Sequence, residues 1–125
     1  MKNALIVDDS RAIRNILARI LTHEGLNVAE ATNGLEGLRV LEEDTEFALI
    51  CADWNMPEMN GLEFLTRVRA DSRFASISVL MITTETHMER VTQALEAGAS
   101  EYLMKPFTAG MVTDKLKFLG ILPQG

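Results

Sequence analysis

The chain contains 125 residues, 47% of them hydrophobic, and its 18 acidic residues against 12 basic ones give a formal net charge of −6. We expect one domain, residues 1–125, because single hydrophobic cores commonly occupy about 100–150 residues. The negative charge argues against direct nucleic-acid binding, which requires clustered lysine and arginine. The single cysteine excludes an internal disulfide and is typical of reducing compartments.

The N-terminal segment and the apolar runs argue against secretion and membrane insertion. Only four apolar residues, Ala4–Val7, precede the first acidic pair, which is too short for the hydrophobic region of a signal peptide. No stretch approaches the roughly 18–20 apolar residues that a membrane span requires. The sequence therefore predicts a soluble, cytoplasmic protein.

Short apolar runs alternate with longer segments of helical periodicity. Runs this short and rich in Val, Ile and Leu are typical of strands buried on both faces of a parallel sheet. They are Ala4–Val7, Val28–Ala31, Phe47–Ala52, Ile77–Ile82 and Tyr102–Met104. Apolar residues at helical spacing occupy 13–21, 35–41, 62–68, 88–95 and 112–119. Gly25 and Gly98 are predicted to follow helix ends, and Thr108 to cap the last helix.

This order of strand and helix, repeated five times, predicts an α/β fold: a doubly wound, five-stranded parallel sheet with five helices on its two faces. In such sheets the functional crevice lies beyond the carboxyl ends of the strands. The polar residues there are Asp8 and Asp9 after the first strand, Asp53 after the third, Thr83 and Thr84 after the fourth, and Lys105 after the fifth. Three of the six aspartates and one of the four lysines therefore meet at one edge.

Three converging carboxylates repel one another unless a positive charge lies between them. Lys105 supplies one such charge, and Mg²⁺, which prefers carboxylate and carbonyl oxygens, would supply two more. The absence of a thiol or imidazole beside these acids disfavours zinc and copper. A carboxylate with Mg²⁺, a hydroxyl and an ammonium around it is suited to accepting a phosphoryl group.

Each of these residues also has an ordinary structural interpretation. Asp8 or Asp9 could simply cap the first helix, and the Thr83–Thr84 pair the fourth. Asp53 could be a loop acid, and Lys105 part of a turn. These interpretations would have to coincide at four strand ends of one sheet, which favours a common site.

The motifs Leu5-Ile6-Val7-Asp8-Asp9-Ser10, Asp53-Trp54-Asn55-Met56-Pro57 and Lys105-Pro106-Phe107 resemble those of receiver domains in the two-component response-regulator family. The resemblance covers the whole chain and is strongest to the single-domain regulators of chemotaxis. It implies a flavodoxin-like sheet of order 2-1-3-4-5.

The resemblance also implies a role for each residue of the predicted site. Asp53 would be the phosphoacceptor, with Asp8, Asp9 and the main-chain carbonyl of Asn55 completing its Mg²⁺ site. Lys105 would contact the phosphoryl group and precede a cis peptide bond to proline.

Signal output would depend on residues near the ends of the fourth and fifth strands. Thr83 would be the switch hydroxyl, and Tyr102 the aromatic ring that moves inward with it. The output surface would be the fourth helix, fifth strand and fifth helix, where Arg90, Lys115 and Lys117 are candidate contacts with the target alongside Tyr102. For these three cations a merely solvated surface remains the alternative.

Four residues are expected to tune the lifetime of the phosphoryl group: Ser10, Asn55, Thr84 and Glu85. Two of them depart from the family pattern. Thr84 replaces the small residue that usually follows the switch threonine, and Ser10 is smaller than the aromatic often found after the acid pair. Both departures lie near the route to Asp53.

The expected donor is a sensor histidine kinase, and the expected target is a protein, with the flagellar motor switch as the leading candidate. A phosphorelay intermediate, a phosphate sink and a receiver that binds without phosphorylation are alternatives. An aspartate-nucleophile phosphatase would have a second Asp where this chain has Asn55, which cannot act as a general acid. A flavin-binding module would not place two aspartates where phosphate binds. The chain is not expected to be a turnover enzyme.

Overall fold

The part of the chain that the structure describes folds into five strands and five helices that alternate along the sequence. The computed structural model describes residues 2–44, 46–84 and 88–123. The strands are β1 (Asn3–Val7), β2 (Asn27–Ala31), β3 (Leu49–Asp53), β4 (Ser78–Thr83) and β5 (Glu101–Met104). The helices are α1 (Arg11–His23), α2 (Gly34–Glu43), α3 (Gly61–Ala70), α4 (Met88–Glu96) and α5 (Ala109–Phe118), with a short 3-10 turn at Ser72–Phe74.

All strand pairs are parallel, and the sheet has the order β2-β1-β3-β4-β5, which confirms the predicted fold class. Strand β3 lies between β1 and β4, and every one of its residues is buried. Its bounds differ from the predicted run Phe47–Ala52, because the strand begins two residues later and includes Asp53. The acidic side chain therefore belongs to the last residue of a central, buried strand.

Alternate residues of the central strands pack against opposite layers of helices, as the pleat of a strand requires. Leu5 and Val7 of β1 belong to the core on the side of α2, α3 and α4. Ala4 and Ile6 belong to the core on the side of α1 and α5. The sheet is thus covered on both faces, which explains why its strands read as continuous apolar runs.

Three residues predicted to mark helix ends have that role in the structure. Thr108 caps α5 by accepting a hydrogen bond from the Met111 N–H. Gly25 and Gly98 follow α1 and α4 with positive φ angles of 91° and 109°, a region that glycine enters at little cost.

Some apolar positions of the helical patterns are not buried. Ile16, Leu35 and Leu95 are 47%, 42% and 45% exposed, respectively. They lie at the margins of their apolar stripes, because a helix packed on one sheet face buries only part of its circumference. Within the described residues, no helix is long and apolar enough to cross a membrane.

Candidate functional site

The sheet register brings the predicted site residues to one edge. Val7 aligns with Ala52, so Asp8 lies beside the last residue of β3, Asp53. Thr83 aligns with Met104, so Lys105, the residue after β5, lies beside the end of β4. A hydrogen bond of 2.8 Å from the Lys105 N–H to the Thr83 carbonyl oxygen fixes this neighbourhood.

Three carboxylates form a tight cluster at this edge. One oxygen from each of Asp8, Asp9 and Asp53 lies within 4.8 Å of the others. Asp8 and Asp53 are only 1% and 5% exposed, whereas Asp9 is exposed. The cluster therefore consists of two buried carboxylates and one carboxylate that faces solvent.

The helix-cap interpretation of the first acid pair is wrong. The N-cap of α1 is Ser10, whose hydroxyl accepts a hydrogen bond of 3.2 Å from the Ile13 N–H. Its own N–H donates to Oδ1 of Asp8 at 2.8 Å. Because Ser10 caps the helix, neither Asp8 nor Asp9 is needed there.

Lys105 joins the two buried carboxylates. Its Nζ lies 3.2 Å from Oδ1 of Asp53 and 3.3 Å from Oδ2 of Asp8, and its side chain is 15% exposed. The peptide bond from Lys105 to Pro106 is cis, as predicted. One ammonium thus offsets part of the repulsion among three acids.

The electrostatic surroundings of Asp53 disfavour its charged form on balance. Burial raises the pKa of Asp53 above its ordinary value, and the Asp8 carboxylate raises it further. Lys105 and a hydrogen bond from the main-chain N–H of Asn55 act in the opposite direction without cancelling the rise. A cation bound among these acids would favour the ionised carboxylate.

The cluster offers only oxygen donors, which fits the predicted Mg²⁺. Among the described residues, no histidine or cysteine belongs to it. Cys51, two residues before Asp53, is buried on the strand, and burial raises the pKa of its thiol to about 12. A soft-metal site is therefore disfavoured.

The loop after β3 passes close to the cluster and is closed by Gly61. The Gly61 N–H donates to the Trp54 carbonyl oxygen at 2.8 Å. A Cβ at this position would collide with the main chain of Asp53 and Trp54, so only glycine allows this approach. Asn60 precedes it and caps α3, and these contacts fix the main chain that follows Asp53.

Of the two predicted switch residues, Thr83 ends β4 and Tyr102 lies within β5. Thr83, the last residue of β4, is 3% exposed, whereas Thr84 is exposed. Tyr102 is half-buried on β5, and the Lys115 Nζ lies 5.1 Å from the centre of its ring. Glu85 lies outside the described residues.

The cations of the predicted output surface have different environments. Arg90 on α4 is exposed, but its guanidinium carbon lies 5.6 Å from the Trp54 ring centre. Lys115 is half-buried and pairs with Glu101 at 3.4 Å, and Lys117 is also half-buried. The fourth helix therefore contacts the residue that follows Asp53.

Two contacts of the site were not predicted from the sequence. Arg14 donates a hydrogen bond of 2.7 Å to the main-chain carbonyl oxygen of Asp8. The Arg90 guanidinium lies over the Trp54 ring. Both cations lie on helices with other exposed arginines or polar residues, and no local pattern distinguishes them.

Comparison with known proteins gives a consistent result. Residues 4–117 match the family model described as response regulator receiver domain. The chain is 43% identical to chemotaxis protein CheY1 of Helicobacter pylori over 90% of this chain and 92% of that protein. It is 40% identical to the CheY homolog of Campylobacter jejuni, over 90% of this chain and 88% of that protein.

Solved structures agree with the sequence relatives. The structure of Vibrio cholerae CheY4 superposes with a TM-score of 0.89 at 35% identity, covering 95% of this chain and 98% of that one. A CheY-like receiver domain protein from Methanospirillum hungatei gives a TM-score of 0.85 at 34% identity, covering 97% and 95%. The chain belongs to the response regulator receiver domain family, the signalling modules of two-component systems.

Proposed function

We propose that this chain is a Mg²⁺-dependent phospho-acceptor, phosphorylated on Asp53 by a sensor histidine kinase. The observation that supports this most directly is the position of Lys105. Its ammonium lies within 3.3 Å of both buried carboxylates, while a third carboxylate completes the cluster on the solvent side. This arrangement provides a nucleophile, a fixed cation and an oxygen site for a metal.

The proposed reaction is an in-line transfer to a carboxylate oxygen. An oxygen of Asp53 forms the bond to phosphorus as the bond from phosphorus to the imidazole nitrogen of the donor breaks, giving an acyl phosphate. Lys105 remains beside the transferred group and offsets its charge. Bound Mg²⁺, held by Asp8, Asp9, Asp53 and the main-chain carbonyl of Asn55, would neutralise phosphoryl oxygens.

Phosphorylation then changes the hydrogen bonding of the neighbouring strand. The phosphoryl group adds charge and strong acceptor oxygens, to which the Thr83 hydroxyl can donate a bond worth about 1.5–3 kcal/mol. Converting a switch from mostly inactive to mostly active requires about 5.5 kcal/mol. Lys105 and the repacking of Tyr102 must therefore contribute the remainder.

The output is proposed to leave through α4, β5 and α5, where Tyr102, Arg90, Lys115 and Lys117 lie. The relatives at 40–43% identity are chemotaxis proteins, which supports a role in chemotaxis with the flagellar motor switch as target. The chain would act in the cytoplasm, beside its kinase. A phosphorelay intermediate or phosphate sink would share the same site and differ in its partner.

Trp54 provides a label-free test, because it follows Asp53 and is the chain's single tryptophan. Its fluorescence is recorded during a Mg²⁺ titration and then after addition of acetyl phosphate, with Asp53→Asn alongside. We expect a saturable Mg²⁺ response, followed by a second change that the variant lacks. No response in either step would contradict the proposal.

A further inference from the structure

Arg14 lies one turn into α1 and reaches back to the end of β1. Its Nη1 donates to the Asp8 carbonyl oxygen at 2.7 Å, and its Nε donates to Oε1 of Glu30 on β2 at 3.2 Å. The Arg14 side chain is 14% exposed, against 41% for Glu30. One planar guanidinium thus connects α1, the end of β1 and the edge strand.

The three carboxylates of the cluster are held in different ways. Asp8 accepts from the Ser10 N–H and from Lys105, and Asp53 accepts from Lys105. Within residues 2–44, 46–84 and 88–123, no hydrogen bond or ion pair reaches the carboxylate of Asp9. The direction of Asp9 therefore depends on its main chain, and the carbonyl of the preceding peptide is the atom that Arg14 holds.

We propose that Arg14 is a positioning residue for the cation site, an inference that rests on the proposed use of Mg²⁺. Rotation of the peptide between Asp8 and Asp9 would move the Asp9 carboxylate relative to the two buried ones. A charge-assisted hydrogen bond to that peptide's carbonyl opposes the rotation. Lysine cannot replace the arginine, because its ammonium lacks the planar fork that serves Asp8 and Glu30 together.

The charge of Arg14 and its hydrogen-bonding geometry predict opposite changes in Mg²⁺ affinity when the residue is lost, so the two contributions can be separated. As a positive charge it disfavours a bound cation, and loss of that charge alone would tighten Mg²⁺ binding by a factor of about 2–3 after solvent screening. Loss of a group that orients metal ligands weakens binding by about 10–100-fold. Arg14→Lys keeps the charge and removes the fork.

The test is a Mg²⁺ titration of the whole chain, in which the amide NMR signals of Asp9 and Ser10 are recorded at each Mg²⁺ concentration. We expect Arg14→Lys to weaken binding by about tenfold and to shift both signals in the metal-free protein. Arg11→Lys is the matched control, an exposed arginine on the same helix, and should leave both readouts unchanged. Equal dissociation constants for Arg14→Lys and the parent chain would overturn the inference.

A second pair of variants, at Glu30, tests the positioning role of Arg14 if Arg14→Lys does not fold. Glu30→Gln and Glu30→Ala both remove the charge, but only glutamine keeps an oxygen that can accept from the Arg14 Nε. Positioning predicts weaker Mg²⁺ binding for the alanine variant than for the glutamine variant, and equal binding would contradict it. If the parent chain itself shows no saturable Mg²⁺ binding, the proposed function fails and this inference with it.

Discussion

The ammonium of Lys105 lies 3.2 Å from the Asp53 carboxylate, so the proposed nucleophile and its counter-charge are in contact before any donor binds. A preorganised charge of this kind stabilises the charge that develops on transferred oxygens without a change in position. Lys105→Met should therefore slow phosphorylation of Asp53 by acetyl phosphate by about 100-fold at saturating Mg²⁺. Lys2→Met, an exposed lysine that precedes β1, serves as control. Equal initial rates for the two variants would remove Lys105 from the mechanism.

The buried position of Asp53 predicts that the metal-free protein is stabilised by neutralising this residue. Its pKa is raised by burial and by Asp8, so the folded chain binds a proton there more tightly than the unfolded chain. The contribution of this group to stability therefore falls as the pH rises from about 3.9, the value of an unfolded aspartate, through the higher folded pKa.

Asp53→Asn should accordingly raise the free energy of unfolding by about 1 kcal/mol at neutral pH without metal. The gain should shrink as the pH falls through the same window. Urea denaturation in the presence of chelator measures the gain at neutral pH and its decrease at acid pH. Asp114→Asn, at an exposed position, is the reference. A variant less stable than the parent at neutral pH would show that the attraction of Lys105 outweighs burial and repulsion.

Asp9 is the member of the acidic cluster that faces solvent, and we expect it to be essential for the cation. Asp9→Ala should weaken Mg²⁺ binding by about 100-fold, because a site built from few carboxylates loses both charge and a ligand. The fold should remain intact, since Ser10 rather than Asp9 caps α1. Fluorescence titration of Trp54 measures the dissociation constant, and Asp114→Ala is the matched loss of one acid. Unchanged binding in Asp9→Ala would argue against a metal at this edge.

Thr84 is exposed and follows the buried Thr83, the last residue of β4. Thr84→Ala should shorten the lifetime of the phosphorylated protein several-fold, because less bulk lies on the route of water to Asp53. The final extent of phosphorylation by excess donor should change less. Decay after donor removal gives the lifetime, with Thr92→Ala on α4 as the control. An unchanged decay rate would show that Thr84 does not limit access.

The fold and the main site residues could be predicted because two simple regularities hold. Buried parallel strands correspond to short apolar runs in the sequence, and the carboxyl ends of these strands lie at the same edge of the sheet. Asp8, Asp53 and Lys105 are the polar residues that follow or end such runs, so their convergence needed no knowledge of side-chain positions. The register of β1, β3, β4 and β5 confirms it.

Features that depend on tertiary contacts could not be predicted. Three consecutive residues, Asp8, Asp9 and Ser10, can each cap a helix, and the sequence does not distinguish among them. The structure selects Ser10. Glu58, in the loop after Asp53, has a φ of 67°, in the left-handed region where glycine or asparagine would be expected.

The same limit applies to the arginines of α1. Arg11 and Arg14 are both arginines in the first turn of α1, yet only Arg14 faces the end of β1 and donates to the Asp8 carbonyl oxygen. The partner of Arg14 is a main-chain oxygen, which every residue has, so the sequence gives no indication of this contact. Contacts of this kind require the folded structure.

The central claim is that Asp53 accepts a phosphoryl group, and intact-protein mass spectrometry tests it most directly. The chain is incubated with Mg²⁺ and acetyl phosphate, and its mass is measured at short times beside Asp53→Asn and a sample in chelator. We predict a mass increase of one phosphoryl group in the parent chain with Mg²⁺ and in neither of the others. The same increase in Asp53→Asn would contradict the assignment, and no increase in any sample would contradict the proposed function.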